Sequence, residues 1–363
     1  MPMPIQPLVI RFGRLGDTLL LQPLLHRLHA RYGQPCCLLA TGLCAVELYR
    51  GQADVAQVMG LGPRHRPLPL NPEQWRAVYA LRQMQHVPVY VCEPQQSSLK
   101  RIRLLLRLAG VPEGDCVFLN DIALKPDDHW IEHLLRLADA TPPSFRERYG
   151  SVACETSAVP EFSVTFEERI ECHEWLARRG LSGHPLVLLQ APNRRTMRWN
   201  GVREAGADDK SWPMQHWTQV VAAIEARLPE ARILLCGSPA EHAYLEGIRS
   251  AVMRPHVQVV AKELSLSRLK VLSAIAHSMI SVDTGPAHIA AAMGCPLVVM
   301  FGAVSPKHWR PRSRSSATVC VLRGPPASRR VDAIAPEKVI EAWHSLPTRD
   351  AATTVPGATS ALV

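Results

Sequence analysis

Apolar positions along this chain fall into two kinds of run. Leu8 to Phe12, Cys37 to Ala40 and Val87 to Cys92 are short and continuous, as buried strands are, and longer amphipathic stretches at Asp17 to Tyr32 and Ser97 to Ala109 predict helices between and after them. From Thr141 to Phe166 prolines recur and periodicity fades, which predicts a linker. A second series then begins. Leu186 to Gln190, Arg232 to Cys236, Met279 to Val282 and Leu297 to Phe301 predict strands. Met214 to Arg227, Leu266 to Ala276, Ala287 to Met293 and Pro336 to Ser345 predict helices. Strands alternating with helices imply parallel sheets built from βαβ units. The fold class expected is therefore α/β, with two Rossmann-like domains of mostly parallel sheet facing across a cleft. We set the first domain at residues 1–165, joined by the C-terminal helix 336–345, and the second at 180–330. The small, polar residues 347–363 are expected to be a disordered tail.

A length of 363 residues agrees with two domains, at roughly 100–200 residues each. The net charge of +9 favours anionic partners: nucleotides, phosphorylated glycans or acidic lipid head groups. Nucleic acid would need a recognisable module, and none is present. Residues 1–7 lack the basic start of a signal peptide, and no apolar run approaches the roughly 18 residues of a membrane span. A cytoplasmic protein is expected. The ten cysteines include no Cys-x-x-Cys pair and several lie in apolar runs, so all are expected to be reduced structural thiols.

The chemistry concentrates where an apolar strand ends in Asp283-Thr284-Gly285-Pro286. Gly285 permits close backbone approach, and Pro286 suits a first helical turn, where an N–H has no partner. A helix starting at a strand's carboxyl end offers free N–H groups and a positive dipole end to a phosphate. A simple helix cap by Asp283 or Thr284 explains the same residues equally well.

The longer run Ser281-Val282-Asp283-Thr284-Gly285-Pro286-Ala287-His288-Ile289-Ala290-Ala291 resembles the D-T-G-x-x-H-x-x-A-A signature of the bacterial heptosyltransferase family. Other segments are similar in the same order. Arg11 to Asp17 resembles the opening R-x-x-x-x-G-D loop, and Lys210-Ser211-Trp212-Pro213 the K-x-W-P segment. Gly237 to Glu241 matches a G-x-P-x-E turn, and Phe301-Gly302 with Pro306 is similar to an F-G-P-T-D-P loop. The resemblance implies a GT-B architecture and an inverting transfer of heptose from ADP-heptose to the inner core of lipopolysaccharide. It implies that Asp17 deprotonates the acceptor hydroxyl and that Lys210 joins the Thr284/Gly285 helix start against the leaving diphosphate. The implied donor-binding set is Gly16, Glu241 (near the ribose), Asp283, Thr284, Gly285 and His288.

Acceptor contacts are expected from Arg14, from Arg64 in the Arg64-His65-Arg66 cluster, and from Lys100, Arg103 and Arg107; Arg11 is a further candidate. The last three of that set, Lys100, Arg103 and Arg107, share one face of a predicted helix whose other face carries Leu99, Ile102 and Leu106. That basic face fits a phosphorylated acceptor, an anionic membrane surface or plain solvation. The partners expected are an ADP-sugar donor and an anionic glycan or lipid-linked acceptor, with peripheral contact at the cytoplasmic face of the inner membrane. No cofactor and no metal are expected: Asp127-Asp128 and Asp208-Asp209 read as solvated surface pairs. His129-Trp130-Ile131-Glu132-His133 formally matches the zinc motif H-x-x-E-H, with nothing else to support it. An epimerase of the same fold, a protein O-heptosyltransferase and a scaffold that has lost transfer are the alternatives.

Three departures bear on the donor. Gln190-Ala191-Pro192-Asn193 replaces the family's usual run after the first strand of this domain. An Arg-rich insertion at 194–207 follows it. The loop Phe301-Gly302-Ala303-Val304-Ser305-Pro306 lacks the family's Thr and Asp.

Overall fold

The computed structural model describes residues 4–42, 44–62, 71–84, 86–150, 155–198, 201–202 and 208–349. The chain divides into two compact units at Ser163/Val164. The first holds strands β1 (Leu8–Arg11), β2 (Cys36–Thr41), β3 (Val55–Leu61), β4 (Val89–Val91) and β5 (Cys116–Phe118). Its helices are α1 (Leu15–Leu19), α2 (Gln22–Tyr32), α3 (Cys44–Leu48), α4 (Pro72–Gln83), α5 (Gln96–Ala109), α6 (Trp130–Asp139) and α7 (Arg146–Tyr149). All four strand pairings are parallel, in the order β3-β2-β1-β4-β5.

The second unit begins with α8 (Phe166–Arg178), β6 (Leu186–Gln190) and a small antiparallel pair, β7 (Met197–Arg198) and β8 (Gly201–Val202). It continues through α9 (Met214–Arg227), β9 (Arg232–Leu235), α10 (His242–Val252), β10 (Val257–Val259), α11 (Leu266–Ile275) and β11 (Ser278–Val282). It closes with α12 (Gly285–Ala292), β12 (Leu297–Phe301), α13 (Pro306–Trp309), β13 (Val319–Arg323) and α14 (Pro336–His344). The main sheet is parallel, in the order β10-β9-β6-β11-β12-β13.

Both faces of this second sheet are covered, which is why its strands read as unbroken apolar runs. Along β6, Val187 and Leu189 enter one core while Leu186 and Leu188 enter the other. In each sheet the strand order reverses beside the first strand, at β1/β4 and at β6/β11. The loops leaving the carboxyl ends of such a pair splay apart and open a crevice, where ligands of open α/β sheets bind.

The packing corrects three boundaries. The sequence puts helix 336–345 on the first domain, but α14 sends Val339, Ala342 and Trp343 into the second unit's core, and Trp343 Nε1 donates to Ser278 Oγ at 2.8 Å. The stretch from 141 reads as a linker because it lacks periodicity, yet polar side chains of the first unit hold its backbone. Arg31 donates to Ala140 O and Tyr149 O, Gln22 Oε1 accepts from Glu161 N, and Gln52 bonds both N and O of Ser163. Of the expected tail, residues 350–363 lie outside the described residues. Arg349 donates to the carbonyls of Ser273, Ala276 and Met293. None of the nine described cysteines is in a disulfide, and seven are buried.

Candidate functional site

In the second unit the chemistry gathers at the carboxyl ends of β6 and β11. Strand β11 is buried throughout, so its chain becomes accessible only at Thr284 to Pro286. Thr284 occupies the N-cap position of α12 but makes no side-chain cap; its hydroxyl turns back to Val282 O at 3.2 Å. Simple capping therefore does not account for these residues. The first-turn N–H groups of α12 have no partner within the helix and are not taken by a capping side chain. Asp283 N is bound to Met300 O at 2.9 Å, which fixes the turn to the neighbouring strand. His288, one turn into the helix, is buried.

Asp283 does not face the helix start either. Its carboxylate Oδ2 accepts from Lys210 Nζ at 2.5 Å, and its main-chain oxygen accepts from the same ammonium at 3.0 Å. The side chains are 9% and 17% exposed. An ammonium has three N–H donors; two point at Asp283, which leaves one for another acceptor.

Lys210 is itself held from behind. Asp208 Oδ1 accepts from the N–H groups of Lys210 and Ser211 at 2.7 and 2.8 Å, and its Oδ2 accepts from Ser211 Oγ at 2.6 Å. Asn193, on the loop after β6, adds a bond to the same carboxylate. Burial works to raise the pKa of Asp208, but the bonds from Ser211, Lys210 and Asn193 outweigh it and hold the carboxyl below its ordinary value. Asp209 Oδ1 accepts from Arg195 and Oδ2 from Ala303 N, while its carbonyl accepts from Val331 N. The expectation of a solvated Asp208-Asp209 pair is thus corrected: Asp208 is 6% exposed, and the two carboxylates clip three loops together. Sequence reasoning missed this network. The available signal was Asp two and three residues before two amide donors, the spacing of an Asx turn.

Glu241 lies beside this cluster, at the turn after β9. Its Oε2 accepts from both Ser238 N (2.7 Å) and Ser238 Oγ (2.9 Å), closing a capping box. Burial raises the pKa of Glu241 against those two bonds. The Tyr244 phenol is pushed up to about 12 by burial and by the charges of Asp208 and Glu241.

In the first unit, β1 and β4 end in a second polar cluster. Asp17 Oδ1 accepts from Arg11 Nη2 at 2.8 Å and Oδ2 from Arg14 N at 2.9 Å. Its side chain is 24% exposed. A carboxylate has about four lone-pair sites, so these two bonds orient Asp17 and leave it able to accept a hydroxyl proton. Arg11 is buried, donates to Cys92 O at 2.9 Å, and lies 3.6 Å from Glu93 Oε2. Arg11 is therefore not an acceptor contact, as the sequence suggested; it is a strut between the two strand ends. Glu93 went unnoticed, although a carboxylate directly after the apolar run Val89 to Cys92 is its signal. It also accepts from Phe12 N and Gln95 N. Gly13 is required by proximity: a Cβ there would stand 2.6 Å from Asp17 Cβ and 2.8 Å from Arg11 Nε. Gly16 lies in the first turn of α1, its carbonyl bound to Leu20 N.

The remaining candidates are dispersed. Arg14 is exposed beside Asp17. Lys100, Arg103 and Arg107 are exposed on α5, with Leu99, Ile102 and Leu106 buried beneath, and Arg103 pairs with Glu113. The Arg64-His65-Arg66 cluster lies outside the described residues, as do residues 199–200 and 203–207 of the insertion. The H-x-x-E-H match is a helix cap: His129 Nδ1 accepts from Ile131 N, Glu132 returns to His129 N, and His133 Nε2 meets Ile122 O. Among the described residues no group of three or more His, Cys, Asp or Glu is gathered as a metal would need.

Residues 202–338 match glycosyltransferase family 9 (heptosyltransferase). Lipopolysaccharide heptosyltransferase 2 of Escherichia coli (strain K12) is 22% identical over 361 residues, covering 93% of this chain and 97% of its own length. Among solved structures, the E. coli ADP-heptose lipopolysaccharide heptosyltransferase II has a TM-score of 0.71 at 21% identity, covering 94% of this chain and 98% of that one. A glycosyltransferase family 9 protein from Veillonella parvula DSM 2008 reaches 0.73 at 15% identity, covering 95% and 98%. These structures share the two-Rossmann-unit, GT-B-like fold. The stretch that matches the glycosyltransferase family 9 (heptosyltransferase) model spans both the Lys210 turn and the start of α12, and the chain is similar to a lipopolysaccharide heptosyltransferase along nearly its whole length.

Proposed function

We propose that this chain is an inverting glycosyltransferase that moves heptose from ADP-heptose to a lipopolysaccharide inner-core or similar anionic glycan acceptor. The observation that carries the reading is the uncapped start of α12 beside Lys210, whose ammonium is already aimed by Asp283. In this reading the donor diphosphate accepts from the Gly285 region of α12 and the third N–H of Lys210, and the Thr284 hydroxyl turns from Val282 O to join them. These groups meet the charge that grows on the leaving phosphate, and being fixed beforehand they need little rearrangement. Asp283 then acts as a positioning residue for Lys210. Glu241 keeps Oε1 for a ribose hydroxyl while Oε2 holds the turn, and His288, in the first turns of α12, belongs to the same donor-binding set. Asp17 takes the proton of the acceptor hydroxyl, which attacks the sugar carbon as the bond to phosphate breaks, and Arg14 meets an acceptor anion.

Among the described residues no helix is long and apolar enough to cross a membrane. We place the enzyme at the cytoplasmic face of the inner membrane. The test is thermal stabilisation by nucleotide sugars, since the tightest ligand raises the melting temperature most. ADP-heptose is expected to stabilise more than GDP-, UDP- or dTDP-sugars, and Asp17→Asn is expected to keep that stabilisation while losing transfer. A larger shift with another nucleotide, or near-normal turnover by Asp17→Asn, refutes the assignment.

A further inference from the structure

Helices α4 and α5 of the first unit present an outward face that no step above uses. Beneath it they share one apolar cluster, with Ala77, Val78 and Leu81 packed beside Ile102, Leu105 and Leu106. Two hydrogen bonds fix how the helices slide against each other. Arg101 Nε donates to Gln74 Oε1 at 3.3 Å, and Arg82 Nη2 donates to Leu108 O at 2.9 Å. With 74 level with 101 and 82 level with 108, Tyr79 and Leu104 stand at nearly the same height.

On the outward side Trp75 is 44% exposed, Tyr79 66% and Leu104 42%. Trp75 and Tyr79 are four residues apart, so they project from one side of α4. Exposed Arg76 and Arg82 flank them, and Lys100, Leu104 and Arg107 line up at helical spacing on α5. The two helices together carry six basic residues and a single acidic one, Glu73, whose carboxylate is engaged by Gly62 N.

We propose that this face rests on an anionic lipid bilayer, with Trp75, Tyr79 and Leu104 entering the headgroup layer and Arg76, Arg82, Lys100 and Arg107 meeting lipid phosphates. Tryptophan and tyrosine carry an apolar body and a polar tip, which suits the boundary between headgroups and acyl chains. Long basic side chains lay their stems along that boundary while their charges stay in the wet layer. A rim of one sign around apolar residues selects an anionic surface over a neutral one. Because the inference concerns neither the donor nor the start of α12, it can fail while the donor reading stands.

The test is flotation of the whole chain, without substrates, on phosphatidylglycerol vesicles against phosphatidylcholine vesicles. The chain is expected to float with the first and not with the second, and high salt is expected to release it. Each basic residue near such a surface contributes a factor of about five, so Lys100→Gln/Arg107→Gln is expected to lower partitioning about twenty-five-fold. Trp75→Ser/Tyr79→Ser is expected to lower it by at least tenfold, with unchanged circular dichroism and unchanged stabilisation by nucleotide sugar. Several results overturn the proposal: equal flotation on both vesicles, flotation on neither, or wild-type flotation by both variants. A concentration-dependent dimer abolished by Trp75→Ser/Tyr79→Ser would also overturn it, by assigning the face to a second copy.

Discussion

The pair formed by Lys210 and Asp283 allows the donor-site chemistry to be tested by a cycle of variants. Replacing Lys210 with Met keeps most of the side-chain volume and removes the charge. Asp283 is then left 9% exposed with its ion-pair partner gone. A hydrogen bond between charged groups at this burial contributes about 1.5–3 kcal/mol. The positive end of α12 offsets about 0.3–1 kcal/mol of the loss, so the stability of Lys210→Met is expected to fall by about 1–2 kcal/mol. Turnover is expected to fall further. Removing one fixed donor from a developing negative charge costs a factor of about 10²–10³. Asp283→Asn keeps the shape and the main-chain bond at 3.0 Å but releases the ammonium from its charged partner, and misplacement alone costs up to about a hundredfold. If Asp283 acts through Lys210, the double variant is no slower than Lys210→Met, because a lysine that is absent cannot be mispositioned. The assay is kcat/KM for transfer from the nucleotide sugar in all four forms, with urea melts in parallel. Rate losses that multiply in the double variant would show that Asp283 meets the donor on its own account and refute the positioning argument.

Three further expectations follow from contacts elsewhere. Gly13→Ala drives a methyl group against Asp17 and Arg11; it is expected to cost about 1–3 kcal/mol in urea melts and to lower turnover, with nucleotide-sugar stabilisation of the second unit intact. Lys270 is 0% exposed and pairs with Glu168 at 2.7 Å, tying α11 to α8. Lys270→Met strands the Glu168 charge and is expected to cost about 3–5 kcal/mol, most of it regained in Lys270→Met/Glu168→Gln; a loss below about 1 kcal/mol in the single variant contradicts the pairing. Asp208 and Glu241 are expected to give opposite pH dependences. Asp208 is held below its ordinary 3.8, so its contribution is present above that value and lost as pH falls through the lowered one. Glu241 is raised above 4.5, so its contribution is present below 4.5 and lost as pH rises through the raised value. Melts from acid to neutral pH are therefore expected to show Asp208→Asn costing least at the acid end and Glu241→Gln costing least at the neutral end.

The sheets were legible in the sequence because parallel strands buried on both faces leave no polar gaps. Leu186 to Gln190 and Leu297 to Phe301 announce themselves, and so does the turn at Asp283. What sequence could not rank was partner choice. Asp283 carries the family signature, yet its carboxylate serves Lys210, seventy-three residues away in the chain. Asp208 looked like surface because an acidic pair usually is; its burial comes from Asn193 and Ser211 closing over it, which only the folded chain reveals. The segment from 141 lacked sustained periodicity because, apart from the single turn α7, its backbone is held by side chains distant in the chain, such as Arg31 on α2 and Gln52 in the turn before β3, and such bonds leave no repeat in a sequence. Helix α14 has an apolar stripe that would suit either unit, and nothing in that stripe specifies Ser278 as the partner of Trp343.

The same distinction between position and chemistry explains why the loop after β12 can depart from the family pattern. Its anchors are main-chain atoms. Ala303 N donates to Asp209 Oδ2 at 2.8 Å, and Gly302 lies so close that an added Cβ would stand 2.4 Å from that oxygen and 2.5 Å from the Asp209 carbonyl. Asp209 is held in turn by Arg195, from the first residues of the insertion, and by Val331 N. Exchanging the family's Thr and Asp for Val304 and Ser305 removes none of these bonds. The loop therefore keeps its path while the side chains it carries change. Gly302 cannot vary without pushing Asp209 away, and Asp209 cannot move without disturbing the turn that carries Lys210. Freedom to vary is thus confined to side chains beyond the anchor, where a change leaves the Asp209 bonds and the turn that carries Lys210 in place.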